Sequence, residues 1–322
     1  MFSISFLILI LVLTVVLVLI VALWFVLTYL RNIEMVRYLR IHFIAPHDLE
    51  RIEYRRKPRA LSTRVVVTLT TIPTRIETLY YTLYSLLDQT VRVDAIVINI
   101  PYVSTKGVPY TIPAWLSELA RKNTCIVLNR CEDEGPVTKI SHSLRLYRDT
   151  TLIIVDDDTV YKSTILHDLC HASLLYPHCA ITGTGYRMFN DDQTNRVYHN
   201  LVPNMKHVDI LMGYNAYLVH TSFFGPDWRT FYKHKLFFYV DDDCISLYLN
   251  QHHIPIYAFR YLQGFSLMRW TYLYQWLFST SDALSKNANR GSGSTLYGKH
   301  EEAVLKSYGY YLTDLSFIQF LA

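Results

Sequence analysis

The stretch Leu152-Ile153-Ile154-Val155-Asp156-Asp157-Asp158-Thr159 decides how this chain of 322 residues is read. Four apolar, mostly β-branched residues followed at once by three carboxylates describe a buried strand whose C-terminal end delivers negative charge into a crevice. Open α/β sheets bind their ligands at that edge. Adjacent carboxylates raise one another's pKa, so three stay ionised only where solvent, cationic side chains or a divalent metal compensates. Mg²⁺ or Mn²⁺, itself bridging substrate phosphates, meets that need. A solvated acidic turn is the plainer alternative. The strong apolar run in front speaks against it, because few turns hang on such a strand.

Upstream, residues 64–70 form a strand by β-branching, residues 71–75 a loop, residues 77–88 a helix with Leu79, Leu83 and Leu86 or Leu87 on one face, and residues 95–100 a second strand. This β-loop-α-β unit places its loop at the carboxyl edge of a parallel sheet, where a nucleotide binds. Neither a GxGxxG nor a Walker loop follows the strand, which argues against dinucleotide and P-loop chemistry. Residues 126–128 make a third short strand, and residues 134–139 a turn feeding a helix over 140–146. Lys139 sits near that helix start, against the dipole, which assigns its ammonium either to a phosphate or to the acidic triplet unless it is an ordinary surface lysine.

Downstream, residues 165–175 are helical and residues 179–185 a strand ending in glycines. Gly213, in the middle of an apolar run over 208–219, marks a close backbone approach or a bulge. Residues 236–240 repeat the opening theme, an apolar strand closing on Asp241, Asp242 and Asp243. A helix follows over 244–249, so helix capping accounts for one or two of these carboxylates but not for three. Residues 264–322 hold an aromatic run over 270–278 and a small-residue segment over 290–294 suited to a lid. His300, just beyond it, is either a late-supplied metal ligand or a lone surface histidine.

Composition sets wider bounds. Tyrosine is abundant at 26 residues, yet it suits half-buried packing as well as sugar or base stacking and decides nothing. The five cysteines are scattered without zinc spacing, and no Asn-x-Ser/Thr sequon occurs, as expected of a domain in a reducing compartment. Residues 2–30 carry no charge, longer than the roughly 20 residues a bilayer requires, so they are expected to form a transmembrane helix. The positive residues Arg31, Arg37 and Arg40 follow the span, which by the positive-inside rule puts the remaining chain in the cytosol; a Golgi or ER lumenal domain is the alternative. Residues 31–64 hold nine Lys or Arg and four Asp or Glu, a net of +5 against +4 for the whole chain, so the positive charge is juxtamembrane. This basic stalk either lies along anionic headgroups or is simply solvated.

Taken in order, residues 65–75, Gly135-Pro136-Val137-Thr138-Lys139, residues 153–158 and residues 239–249 resemble the nucleotide-sugar glycosyltransferases of the GT-A fold. The likeness covers roughly residues 64–260, and the ordered combination is far more specific than one DxD. It implies an α/β fold, a Rossmann-like α/β/α sandwich with a mixed, mostly parallel sheet. The expected domains are the span (1–30), the stalk (31–63), the GT-A domain (64–263) and a helical or lid extension packed on it (264–322). The implied activity is transfer from a nucleoside-diphosphate sugar, a UDP-sugar first, to a hydroxyl on a glycan, lipid or protein; no nucleic acid is expected as partner.

The resemblance also implies site residues. Asp156 and Asp158 would hold Mn²⁺ or Mg²⁺ on the diphosphate, and Asp157 would lie near ribose or sugar. Thr70, Arg75 and Lys139 would line the substrate; the residue reading adds His300 as a candidate metal ligand and Gly213 as a candidate substrate contact. Asp242, paired with Asp241, would be the catalytic base, with Asp243 leaving the register open by one. The chemistry needs both clusters, one for the leaving group and one for the nucleophile. Two rivals stand beside this reading. Residues 155–160 also resemble the haloacid dehalogenase-like phosphatase signature, with Asp156 as nucleophile and Asp158 as general acid. That nucleophile follows the first strand of its domain, whereas here a whole β-loop-α-β unit precedes it. A non-catalytic membrane-tethered binding module is the third reading, and both intact acidic clusters oppose it.

Overall fold

The β-branched runs of the sequence become strands buried on both faces. The computed structural model describes residues 4–30, 54–187, 196–198, 205–233 and 241–259, in two units, Met1–Ala45 and Pro46–Ala322. Among the described residues the first contains the helix α1 (Ile4–Leu30). In the second, β1 (Val65–Thr70), α2 (Tyr80–Leu87), β2 (Ala95–Pro101), α3 (Ala114–Lys122), β3 (Ile126–Cys131), α4 (Thr138–Leu146), β4 (Thr151–Ile154) and α5 (Ile165–Leu175) alternate. Six short strands follow: β5 (Ala180–Thr182), β6 (Gly185–Arg187), β7 (Arg196–Tyr198), β8 (Lys206–Val208), β9 (Ile210–Leu211) and β10 (Tyr217–His220). The described chain then runs through α6 (Trp228–Tyr232), α7 (Asp241–Gln251) and β11 (Ile256–Ala258).

Eight strands form one mixed, mostly parallel sheet in the order β3-β2-β1-β4-β10-β5-β11-β8. β1 pairs in parallel with β2 on one side and β4 on the other. Strand order therefore reverses between β1 and β4, and the carboxyl ends of these two strands open the crevice in which such sheets bind ligands. β10 enters antiparallel between β4 and β5. Val66, Val97, Ile154 and Tyr217 share a core with Val137, Ile140 and Leu144 of the α4 segment and with Cys244, Ile245 and Tyr248 of α7. The alternating residues Val67, Leu69, Ile96, Ile98 and Ile153 are fully buried too, so the strands are apolar on both faces, as central parallel strands are.

Several boundaries differ from the sequence expectation. The apolar run over 208–219 divides into the end of β8, β9, a 3-10 turn at Gly213–Asn215 and β10, and β9 pairs in a separate three-stranded sheet, β7-β6-β9. The expected strand over 236–240, the extension over 264–322 and the first part of the stalk lie outside the described residues. From Tyr54 onward the basic segment packs on the globular unit instead of standing free. The Tyr54 ring is buried, Arg59 is paired with Asp94 at 2.7 Å, and the Lys57 ammonium donates to the carbonyls of Leu87 (3.0 Å) and Gln89 (2.6 Å) at the end of α2. A cation there completes orphan carbonyls and favours the negative end of the helix dipole.

α1 is 27 residues long and uncharged. Among the described residues no helix is long and apolar enough to cross a membrane; side chains of α1 are described without a break only over residues 8–23.

Candidate active site

The acidic triplet leaves β4 at the switch point and is held by backbone bonds before any carboxylate is considered. The Asp156 N–H donates to the Tyr161 hydroxyl at 2.7 Å, and Thr82 of α2 donates to the carbonyls of Asp157 (2.8 Å) and Thr159 (3.0 Å). Asp157 turns inward and is buried. It accepts from the Thr71 hydroxyl at 2.7 Å and from Nη1 of Arg75 at 2.7 Å. The same Nη1 reaches Asp158 at 2.8 Å. The loop after β1 and the loop after β4 are thus joined by one guanidinium across the crevice.

Lys139 joins the second pair of elements. α4 is held over the sheet by a polar ladder: Asn129 donates to Asn99 at 2.8 Å, Asn99 to Thr68 at 3.0 Å, and Thr68 donates to the Lys139 carbonyl. The Lys139 side chain is buried, with Nζ 2.9 Å from Oδ1 of Asp156 and 2.7 Å from Oδ2 of Asp241. Burial alone would push the ammonium down, but the carboxylates of Asp156, Asp241 and Asp242 outweigh it and hold the pKa well above 10.5. The helix-start lysine therefore bridges the two acidic clusters, 85 positions apart in sequence from Asp156 to Asp241.

All three residues of the second cluster lie in the first turn of α7. Asp242 accepts the Gly213 N–H on Oδ2 at 2.9 Å, while its Oδ1 is buried with no hydrogen-bond partner among the described residues. A Cβ on Gly213 would stand 2.7 Å from that Oδ1 and 3.2 Å from the Lys139 ammonium, so the close approach requires glycine. Ser246, one turn on, donates to the Asp242 carbonyl at 2.6 Å and accepts from Leu211 N–H at 3.0 Å, fixing α7 against β9. Burial and then the neighbouring Asp241 raise the Asp242 carboxyl from 3.8 to about 7, against the pull of Lys139.

The structure brings Arg75, Lys139, Asp156, Asp157, Asp158, Gly213, Asp241 and Asp242 into one linked constellation. Thr70 is turned away, donating to the Asn99 carbonyl at 2.9 Å, and its neighbour Thr71 engages Asp157 instead. His300 lies outside the described residues. Sequence reasoning missed Thr71, Thr82, Tyr161 and Tyr217. The last is fully buried, and its hydroxyl has no hydrogen-bond partner among the described residues, although it feels the charges of Lys139, Asp241, Asp242 and Asp156.

Among the described residues no group of three or more His, Cys, Asp or Glu could hold a metal by itself. Mg²⁺ or Mn²⁺ bound with a diphosphate asks less, one or two carboxylates with phosphate oxygens and water completing the shell. Asp156 and Asp158 fit that role, their side chains 30% and 28% exposed. The carboxylates of Asp156, Asp157, Asp158 and Asp241 share the cations Arg75 and Lys139, a balance that a divalent cation suits. No family model matches the chain, and no curated protein matches it.

Proposed function

We propose that this chain is a metal-dependent glycosyltransferase of the GT-A type, moving a sugar from a nucleoside-diphosphate sugar, a UDP-sugar first, to an acceptor hydroxyl on a glycan, lipid or protein. The observation that carries the reading is the junction at Lys139. It joins a partly exposed carboxylate at the switch point, Asp156, to a cluster in which Asp242 is raised to about 7. Mn²⁺ or Mg²⁺ held by Asp156 and Asp158 would stabilise the charge developing on the departing nucleoside diphosphate.

The chain's own residues supply the rest. Asp242 takes the proton of the attacking hydroxyl, and a carboxyl titrating near 7 is matched to that task at neutral pH. Direct attack with Asp242 as base makes the transfer an inverting one. Lys139 fixes Asp241 beside it and sets a positive charge at the Asp156 side of the crevice, while Arg75 holds Asp157 and Asp158 in place. Gly213 leaves the space into which Oδ1 of Asp242 projects.

The same proposal keeps α1 as a membrane anchor, supported by its 27 uncharged residues, and keeps the catalytic unit in the cytosol, supported by Arg31, Arg37 and Arg40 after it. Calorimetry of the full chain with UDP tests the donor side. Binding should require Mn²⁺ or Mg²⁺ and fall at least about tenfold in Asp156→Ala/Asp158→Ala. Equal affinity in chelator overturns the metal role.

A further inference from the structure

Outside the crevice, α5 carries the sequence His167-Asp168-Leu169-Cys170-His171, with its two histidines one helical turn apart. Residues four apart stand one above the other on a helix face, with about 5 to 6 Å between their Cβ atoms. The core decides which face this is. Ile165, Leu166, Leu169 and Cys170 are buried where α5 packs on β5 and β10, which turns His167 and His171 outward, both exposed. Their rings lie nearly parallel, 13° between planes, with centroids 5.9 Å apart. Two nitrogens bound to one metal ion at about 2.0 to 2.1 Å each stand no more than about 4 Å apart, a separation that neighbouring exposed rings reach by turning their tips together. The carboxylate between them is arranged for the same end. Asp168 is only 2% exposed, so it is no ligand itself; it accepts from the Thr164 hydroxyl at 2.8 Å and holds Nδ1 of His167 at 3.2 Å. A carboxylate accepts, so in the neutral imidazole the proton sits on Nδ1 and the lone pair on Nε2, an assignment made from the hydrogen-bond network. Histidines that bind metals show this pattern, the second ring nitrogen donating to a carboxylate that fixes the tautomer. Among the described residues no other side-chain hydrogen bond engages His167 or His171.

We propose that His167 and His171 form a two-histidine site on the outer face of α5 for a late first-row dication, Ni²⁺, Cu²⁺ or Zn²⁺, with Asp168 orienting His167 and water filling the remaining positions. Imidazole suits these ions, whereas Mg²⁺ and Mn²⁺ favour carboxylate, carbonyl and water oxygens. The site is therefore chemically distinct from the one assigned to Asp156 and Asp158, and it does not rest on the glycosyltransferase reading. A bound ion ties successive turns of α5 together and stabilises the folded chain by mass action.

The test is a footprint of histidine reactivity on the full chain, titrated with Ni²⁺ in excess Mg²⁺ so that oxygen sites are filled. Diethylpyrocarbonate acylates an imidazole nitrogen only when no metal holds it, and peptide mapping by mass spectrometry reads each histidine separately. Ni²⁺ should protect His167 and His171 together, with one shared half-protection concentration. In His171→Ala the concentration that half-protects His167 should rise at least about tenfold, because the chelate is lost and a tenfold change needs only about 1.4 kcal/mol. Alanine at an exposed helix position favours the helix, so this variant keeps the fold. In Asp168→Asn the same concentration should rise about tenfold, the cost of weakening the carboxylate behind a ligating histidine. Protection of His167 at the same Ni²⁺ concentration with and without His171, or a reactivity of both histidines that Ni²⁺ leaves unchanged, overturns the proposal. An unchanged half-protection concentration in Asp168→Asn overturns the orienting role given to Asp168.

Discussion

Asp242→Asn separates a catalytic carboxylate from a structural one, because the two roles move stability in opposite directions. An unfolded aspartate loses its proton near 3.8, whereas Asp242 in the fold keeps its proton to about 7. Between those values the folded state binds the extra proton, so stability falls as pH rises through the window; below it the cost is absent, and above it the cost is complete. About three pH units at about 1.4 kcal/mol each give about 4 kcal/mol. Asp242 keeps partial solvent access although Oδ1 is sealed, which trims the figure to about 2 to 4 kcal/mol. Asparagine cannot ionise, yet its carbonyl can still accept from Gly213. In urea titrations the variant should equal the parent near pH 4 and exceed it by that amount at about pH 8. Its transfer rate should fall by about 10²- to 10⁴-fold. A helix cap behaves otherwise, losing about 1 kcal/mol at neutral pH. A variant less stable than the parent at about pH 8, or one that transfers sugar at the parent rate, refutes the reasoning.

Lys139→Met removes the one charge bridging Asp156 and Asp241 and should cost about 3 to 5 kcal/mol. Because the ammonium stays charged well above 10.5, calorimetric scans should show that loss undiminished through neutral and mildly alkaline pH. Gly213→Ala places a methyl against Oδ1 of Asp242, the end of a movable side chain, so circular dichroism should report an intact fold, with a destabilisation of about 1 to 3 kcal/mol, while transfer is lost. Lys57→Met uncovers the carbonyls of Leu87 and Gln89 and should lower stability by about 1.5 to 3 kcal/mol in urea titrations; no change would return this segment to a free stalk.

How much of this was legible in the sequence depends on whether a signal is local. β1, α2, β2 and α5 follow from β-branching and helical spacing, and α5 has the expected bounds, Ile165–Leu175. Lys139 was readable because a cation at a helix start opposes the dipole and asks for a reason. The acidic triplet marked β4 because carboxylates seldom follow an apolar run directly unless a buried strand delivers them to a polar edge. Thr70 misled by one residue: side chains alternate along a strand, so at the end of β1 its hydroxyl returns to Asn99 and Thr71 faces Asp157. The register of Asp241 to Asp243 is set by contacts with Lys139 and Gly213, which belong to other parts of the chain. Tyr217 carried no local mark among 26 tyrosines; its place depends on β10 entering antiparallel between β4 and β5, a pairing that periodicity does not encode. The fragmentation of residues 208–219 has the same origin, since β8, β9 and β10 answer to different neighbours. The Lys57 contact was hidden because a basic run reads alike whether it faces water, lipid or helix carbonyls.

The central claim, that the two acidic clusters joined at Lys139 serve a sugar-nucleotide transferase, is tested most directly by product analysis of the purified full chain incubated with a panel of nucleoside-diphosphate sugars, Mn²⁺ and candidate acceptors. The account predicts release of the free nucleoside diphosphate that requires metal, is abolished in Asp156→Ala/Asp158→Ala, and is reduced by about 10²- to 10⁴-fold in Asp242→Asn. Inorganic phosphate liberated from simple phosphomonoesters, with every sugar nucleotide left intact, would contradict it.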